Sequence, residues 1–64
     1  MTQRKTLQQR ERELQSLLST PAGRQELQEL DRRYQAARGR MRPANTSVIT
    51  YILVYERERG LIVG

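Results

Sequence analysis

The chain has 64 residues, of which 36% are hydrophobic and 30% charged, and its formal net charge at neutral pH is +5. A chain of this length forms one domain at most, spanning residues 1–64. So short a chain buries only about 60% of the surface that its unfolded form exposes, so its stability is marginal. It contains neither cysteine nor histidine, which excludes a disulfide framework and the usual zinc sites.

The first segment, residues 4–19, consists mostly of Leu, Gln, Glu and Arg, which are strong helix formers. Its apolar side chains are spaced by three, four and seven positions and share one helical face, formed by Leu7, Leu14, Leu17 and Leu18. The sequence therefore predicts a helix over this segment. We expect the first few residues to fray, because they carry almost no apolar side chains.

Thr20 and Pro21 predict the start of a second helix, residues 21–38. Thr20 suits the N-cap, and proline fits the first helical position because it has no backbone N–H to satisfy. Gly23 should weaken the first turn by about 1 kcal/mol relative to alanine. A second apolar seam is formed by Leu27, Leu30, Tyr34 and Ala37. With a turn at Thr20, the two helices should pack as an antiparallel hairpin.

Gly39 is typical of a position just past a helix end, and residues 39–46 contain the glycine, proline and asparagine of a loop. Five arginines with no acid among them run from the second helix into this loop: Arg32, Arg33, Arg38, Arg40 and Arg42. Guanidinium groups bind phosphates bidentately, so this cluster is a candidate nucleic-acid-binding surface. The alternative is that it only solubilises the protein and complements the helix dipole, since Tyr34 is the single aromatic residue among these arginines for base stacking.

The most apolar stretch of the chain, residues 48–55, supports two secondary structures. Its β-branched and aromatic side chains favour a strand. Residues 47–55 and 61–63 would then be strands, and because a lone hairpin is barely stable, a dimer would complete a four-stranded sheet.

The ends of the same stretch favour a helix over residues 47–59. Thr46 or Ser47 can cap its start, and Gly60 followed by Leu61 can end it in a left-handed turn. We therefore predict a mainly α protein, in which the hairpin packs on this third, buried helix. The dimeric α+β arrangement remains the alternative.

The sequence from Thr46 to Val63 resembles the third helix of winged-helix DNA-binding domains. The resemblance lies in its β-branched positions, its YERERGLI stretch and its LIV tail, and it covers about the last third of the chain. In that family the recognition helix often ends in a charged turn and a Gly-Leu-Ile that leads into the wing. The resemblance implies a helical segment with a role in binding DNA.

Either structure leaves more apolar surface in the third segment than two narrow leucine seams can cover. We therefore expect self-association, most simply as a homodimer. The candidate contact residues are Val48, Ile49, Tyr51, Ile52, Leu53 and Tyr55.

Catalysis is not expected, because no plausible general base lies near any serine or threonine in the sequence. The carboxylate pairs Glu11/Glu13, Glu26/Glu29 and Glu56/Glu58 have arginines nearby in sequence, and we interpret them as solvated helix faces. No metal, cofactor or small-molecule substrate is predicted, and no phosphate-binding glycine loop is present. No apolar run has the length of a membrane span, and the polar first residues do not resemble a secretory signal, so we expect a cytoplasmic protein.

Two functions remain open. The first is a small, basic, non-enzymatic module associated with nucleic acid through its arginine cluster. The second is a structural or interaction module that self-associates through residues 48–55, where the charge serves solubility alone.

Overall fold

The computed structural model describes residues 3–64, and their element order is β1 (Lys5–Thr6), α1 (Leu7–Leu17), α2 (Pro21–Arg38), α3 (Val48–Glu58) and β2 (Ile62–Val63). The predicted mainly α fold is confirmed. The alternative that made residues 47–55 a strand is wrong, because residues 48–55 belong to α3 and Ser47 is its N-cap. The last residues do form a strand, but β2 pairs in parallel with β1 of the same chain rather than with a second copy.

The first helix begins later than predicted, at Leu7 rather than residue 4, because Thr6 caps it. The Thr6 hydroxyl accepts from the Gln9 N–H at 3.1 Å, and the Thr6 N–H donates to Gln9 Oε1 at 3.0 Å. This reciprocal capping box fixes the helix start. Lys5 lies in β1, and residues 1–2 lie outside the described residues. The fraying of the first few residues stays a prediction.

The antiparallel hairpin of α1 and α2 turns at Thr20, whose hydroxyl accepts from the Gly23 N–H at 3.0 Å. Gly23 is buried against the end of α1. A Cβ at this position would lie 2.1 Å from the Leu17 carbonyl oxygen, which is a severe clash. The glycine that weakens the helix intrinsically is therefore what lets the two helices approach here.

The C-terminal ends of α2 and α3 lie together, because Arg38 forms an ion pair with Glu58. Both helices end in a left-handed glycine, Gly39 with φ 72° and Gly60 with φ 73°. After α3, the Leu61 N–H bonds to the Glu56 carbonyl at 2.9 Å, which satisfies a carbonyl that the helix end would leave unpaired. The stop predicted at Gly60 is confirmed.

The core lies where α1, α2 and α3 meet. Leu14 and Ile52 are fully buried at its centre, and the other buried apolar residues are Leu27, Tyr34, Tyr51, Leu53, Tyr55 and Ile62. Aromatic side chains and β2 add to the leucine seams and cover most of α3 within one chain, whereas Val48 and Ile49 are half-buried. The expected homodimer stays a prediction.

Candidate nucleic-acid interface

The five predicted arginines fall into two groups, according to whether they form an ion pair with an acid of residues 3–64. Arg38 belongs to the engaged group, whose members form such a pair. Its Nη2 donates to Glu58 Oε2 at 2.5 Å. Its guanidinium carbon lies 5.6 Å from the centre of the Tyr51 ring and 5.5 Å from that of Tyr55. These distances fall within the range of cation–π attraction. Arg38 thus joins the last turn of α2 to α3, and it is half-buried.

Arg42 is also engaged, and it ties the loop of residues 39–46 to the rest of the molecule. Its Nε lies 3.3 Å from Asp31 Oδ1, and its Nη1 donates to the Thr46 carbonyl. Because Asp31 lies in α2 and Thr46 lies just before α3, these two contacts make the loop run back alongside α2. The structure therefore gives Arg42 a role in holding the loop.

Arg32, Arg33 and Arg40 form the other group, which we call the exposed arginines. All three are exposed, and none forms an ion pair with an acid of residues 3–64. Arg32 and Arg33 lie on α2, and Arg40 follows its C-terminal glycine. Their side chains are available to an acidic partner.

Over the whole of residues 3–64, too, more cationic than acidic side chains are left outside ion pairs. Ion pairs within residues 3–64 engage four of the twelve cationic side chains, namely Lys5, Arg10, Arg38 and Arg42. Four of the seven acids are engaged in the same pairs, namely Glu13, Asp31, Glu56 and Glu58. Eight cations and three acids are left within this range, so the surface field is positive.

Beside the exposed end of α2 lies a cleft of about 210 Å³, lined by Arg38, Arg40, Met41, Pro43 and Tyr51. In the sequence Tyr34 is the aromatic residue within the arginine cluster, and it is buried; the fold brings a second tyrosine, Tyr51, to the cluster from α3. Only 5% of Tyr51 is exposed, so its ring is too buried to stack on a base. Its hydroxyl is buried and finds no hydrogen-bond partner within residues 3–64.

A buried ion network connects α1, α2 and α3, and the sequence did not predict it. Arg10 donates to Glu56 through Nε at 2.8 Å and through Nη2 at 3.0 Å, and the Tyr34 hydroxyl donates to Glu56 Oε2 at 2.6 Å. Glu56 is only 4% exposed, so the interpretation of this carboxylate as solvated is wrong. A signal existed, because Glu56 follows Ile52 by four positions and falls on the apolar face of α3.

Hydrogen bonds and burial shift the protonation equilibria of this network. The hydrogen bond to Glu56 is the main cause that raises the pKa of Arg10, and burial followed by the bond to Glu56 raises the pKa of Tyr34 to about 12. At the outer end of the network, Lys5 and then Arg10 lower the pKa of Glu13. Each shift holds the network in its hydrogen-bonded form near neutral pH, which suits a structural role.

The residues predicted for self-association are divided between the core and the surface. Tyr51, Ile52, Leu53 and Tyr55 are buried within the chain, whereas Val48 and Ile49 are half-buried. Val48 and Ile49 line an apolar groove of about 460 Å³ between the helices, together with Glu11, Gln15, Leu18, Arg24, Leu27, Gln28, Ser47 and Thr50. Of the residues predicted for self-association, Val48 and Ile49 are therefore the two that keep part of their surface exposed.

In the part of the chain that the structure describes, no group of three or more acidic residues is placed to hold a metal ion. None of the helices in this part has the length and apolar character needed to cross a bilayer. Comparisons with protein-family models, curated proteins and solved structures found no match to this chain. The resemblance of residues 46–63 to winged-helix domains stays a prediction.

Proposed function

We propose that this protein is a small, non-enzymatic module that binds the phosphate backbone of nucleic acid. The observation that supports the proposal is the group of exposed arginines, Arg32, Arg33 and Arg40, which no acid of residues 3–64 neutralises. Arg38 lies beside them with N–H groups to spare, because a guanidinium has five and one is bonded to Glu58. Arg42 contributes by holding the loop.

Binding of this kind is driven by counterion release and carries little sequence information. Contacts from the three exposed arginines to a duplex should give a slope of about −2.7 in a plot of log affinity against log salt concentration. The measurement is a fluorescence anisotropy titration of labelled duplex DNA, single-stranded DNA and RNA at several salt concentrations. Absence of binding at low ionic strength, or binding that salt does not weaken, would overturn the proposal.

A charge-matched pair of variants separates this surface from net charge alone. Arg32→Gln combined with Arg33→Gln should make the salt slope shallower by about 1.8. Arg4→Gln combined with Arg12→Gln removes the same charge from exposed positions near α1. The control should keep a slope close to that of the native protein. Equal losses in both double variants would show that binding follows the total charge, and would exclude a specific interface.

A second candidate function is self-association as a homodimer through the apolar groove. Leu18 supports it, because this side chain is 44% exposed and lines the groove with Val48 and Ile49. Sedimentation equilibrium tests the candidate. Leu18→Glu should convert a dimer into a monomer, whereas Met41→Glu, at a position that is 82% exposed and outside the groove, should not. A native protein that is monomeric at high micromolar concentration would exclude it.

A further inference from the structure

The cleft beside the end of α2 combines two kinds of surface. Arg38 and Arg40 supply guanidinium groups, and Met41 and Pro43 supply apolar surface. Met41 is 82% exposed, the highest value among the exposed large apolar side chains of residues 3–64. A single exposed apolar residue is ordinary on a protein surface, but this one lines a cleft together with two cations. Such a lining suits a ligand that has both an apolar face and a negative charge.

The loop that carries Met41 is held in place. Arg42, the next residue, lies 3.3 Å from Asp31 through its Nε and donates to the Thr46 carbonyl. Pro43 then restricts the backbone further, because its ring fixes its own φ. A site that is already in position loses less conformational entropy when a ligand binds. The cleft is therefore formed before any ligand arrives.

The charge and the size of the cleft narrow the choice of ligand. Arg38 has N–H groups left for an anion, because one of its five is bonded to Glu58. Arg40 forms no ion pair with an acid of residues 3–64. The volume of about 210 Å³ is below the roughly 300 Å³ at which pockets for drug-sized ligands begin. One planar ring with an attached anion matches these dimensions.

We propose that this cleft binds one unstacked nucleotide, whose base lies against Met41 and Pro43 and whose phosphate is held by Arg38 and Arg40. A nucleobase has an aromatic face, and the polarisable sulfur of methionine attracts such faces. In a duplex the neighbouring bases cover these faces, whereas a single strand can turn a base outward. The protein should therefore prefer single strands to duplexes, a preference that rests on the proposed function.

A nucleic-acid strand fits this surface better than an acidic peptide does. Arg32 and Arg33 lie earlier in α2 and continue the positive surface away from the cleft. A strand repeats its phosphate at every nucleotide, so it can place one base in the cleft and further phosphates against these two arginines. An acidic peptide has no aromatic face tied to each of its charges.

The first test compares a thymidine homopolymer with an abasic strand, a phosphodiester chain of the same length and charge that lacks bases. Nuclear magnetic resonance follows the Met41 methyl group, because the ring current of a base in contact with it shifts its resonance. We expect a saturable shift with the homopolymer and none with the abasic strand. Pairing the homopolymer with its complement should abolish the shift. Equal responses to the homopolymer and the abasic strand would overturn the inference.

Met41→Gln tests the apolar side of the cleft without changing the charge. It should weaken binding to the homopolymer about fivefold, the size of a sulfur–aromatic contact, and leave the abasic strand unaffected. The salt slope should stay the same, because no phosphate contact is lost. Leu61→Gln, at a residue that is 56% exposed and outside the cleft, is the matched control and should change neither affinity. Native-like binding of the homopolymer by Met41→Gln would overturn the inference.

Arg40→Gln tests the phosphate side. It should weaken binding to both strands equally and make both salt slopes shallower by about 0.7, the value for one phosphate of a single strand. Arg12→Gln removes the same charge from an exposed position on α1 and should change the slopes less. Equal changes in the two variants would show that net charge, and not the cleft, holds the phosphate, and would overturn the inference.

The outcomes for the cleft and for the proposed function are separable. If both strands bind equally tightly and Arg32→Gln combined with Arg33→Gln weakens both, the proposed function stands and the cleft inference fails. If neither strand binds but thymidine monophosphate shifts the Met41 methyl, the nucleotide site stands and the proposed function fails. A copolymer of glutamate and tyrosine that shifts this methyl as strongly as the homopolymer would make the occupant an acidic peptide and overturn the inference.

Discussion

Arg10 and Arg32 carry the same side chain, yet they lie in opposite environments. Arg10 reaches from α1 into the region where the helices meet. Its guanidinium donates two hydrogen bonds to the carboxylate of Glu56, a residue that is only 4% exposed. Arg32 extends from α2 into solvent and pairs with no acid of residues 3–64. The difference shows that arginine stabilises the fold in one region and is available to a partner in the other.

Glu56→Gln should give the largest effect, because it leaves the guanidinium of Arg10 without its main countercharge. Removing one partner of a buried pair costs about 3 kcal/mol or more, which is most of the stability of a domain this small. Urea denaturation measures the change. Glu58→Gln is the matched control, since its pair is exposed and contributes at most about 1 kcal/mol. Similar losses in the two variants would remove the distinction between the two environments.

Tyr34→Phe tests the third hydrogen bond to Glu56, the one from the Tyr34 hydroxyl, and should lower the free energy of unfolding by about 2 kcal/mol, because the lost bond has a charged acceptor. The pKa of Tyr34 is raised from 10.0 to about 12, so the folded state holds its proton more tightly than the unfolded state. The stability from this shift is complete below pH 10 and is lost as pH rises through 12. Denaturation as a function of pH should show this loss in native protein and a smaller one in Tyr34→Phe.

Thr6→Ala tests how much the capping box at the start of α1 contributes to stability. The change removes the hydroxyl that accepts from Gln9 and should lower the free energy of unfolding by about 1 kcal/mol. Thermal unfolding followed by circular dichroism measures it. Thr50→Ala, at an exposed position inside α3, is the comparison. It removes the hydroxyl that accepts from the Ser47 Oγ–H but keeps the capping bond from the Thr50 N–H to Ser47 Oγ. A loss at Thr6 no greater than at Thr50 would indicate that the sheet, rather than the cap, fixes this end.

Arg32→Gln combined with Arg33→Gln should have the smallest effect on stability. Both side chains are exposed, and surface changes of this kind usually alter the free energy of unfolding by less than about 0.5 kcal/mol. The same double variant should nevertheless weaken the proposed nucleic-acid binding. Substitutions around Arg10 would then change mainly stability, and substitutions at Arg32 and Arg33 mainly binding. A large loss of stability would mean that these arginines belong with Arg10 as structural residues.

The secondary structure follows closely from local signals in the sequence. The predicted range of residues 21–38 coincides with α2, and the prediction of residues 47–59 differs from α3 by one residue at each end. Caps account for this agreement, since Thr20, Ser47, Gly39 and Gly60 act on their neighbours along the chain. For such residues, the neighbouring sequence contains most of what makes a helix begin or end at that position.

The features that the sequence did not reveal depend on contacts between distant segments. Glu56 has arginines nearby in sequence, as a solvated residue would, but the register of α1 and α2 places Arg10 and Tyr34 against it. The cleft is a further case, because Tyr51 meets Arg38 and Arg40 only after the loop returns along α2. Local periodicity cannot show which charged residues a tertiary contact will neutralise.

The parallel pairing of β1 with β2 has a consequence for the order of folding. It joins Lys5 to Ile62 and Thr6 to Val63, so it closes almost the whole described chain into one loop. The entropy lost on closing a loop grows with the logarithm of its length, whereas each helix forms through contacts a few residues apart. We therefore expect this pairing between the two ends of the described chain to form last during folding and to open first during unfolding. Its backbone amide protons should exchange with solvent before those of α2 and α3.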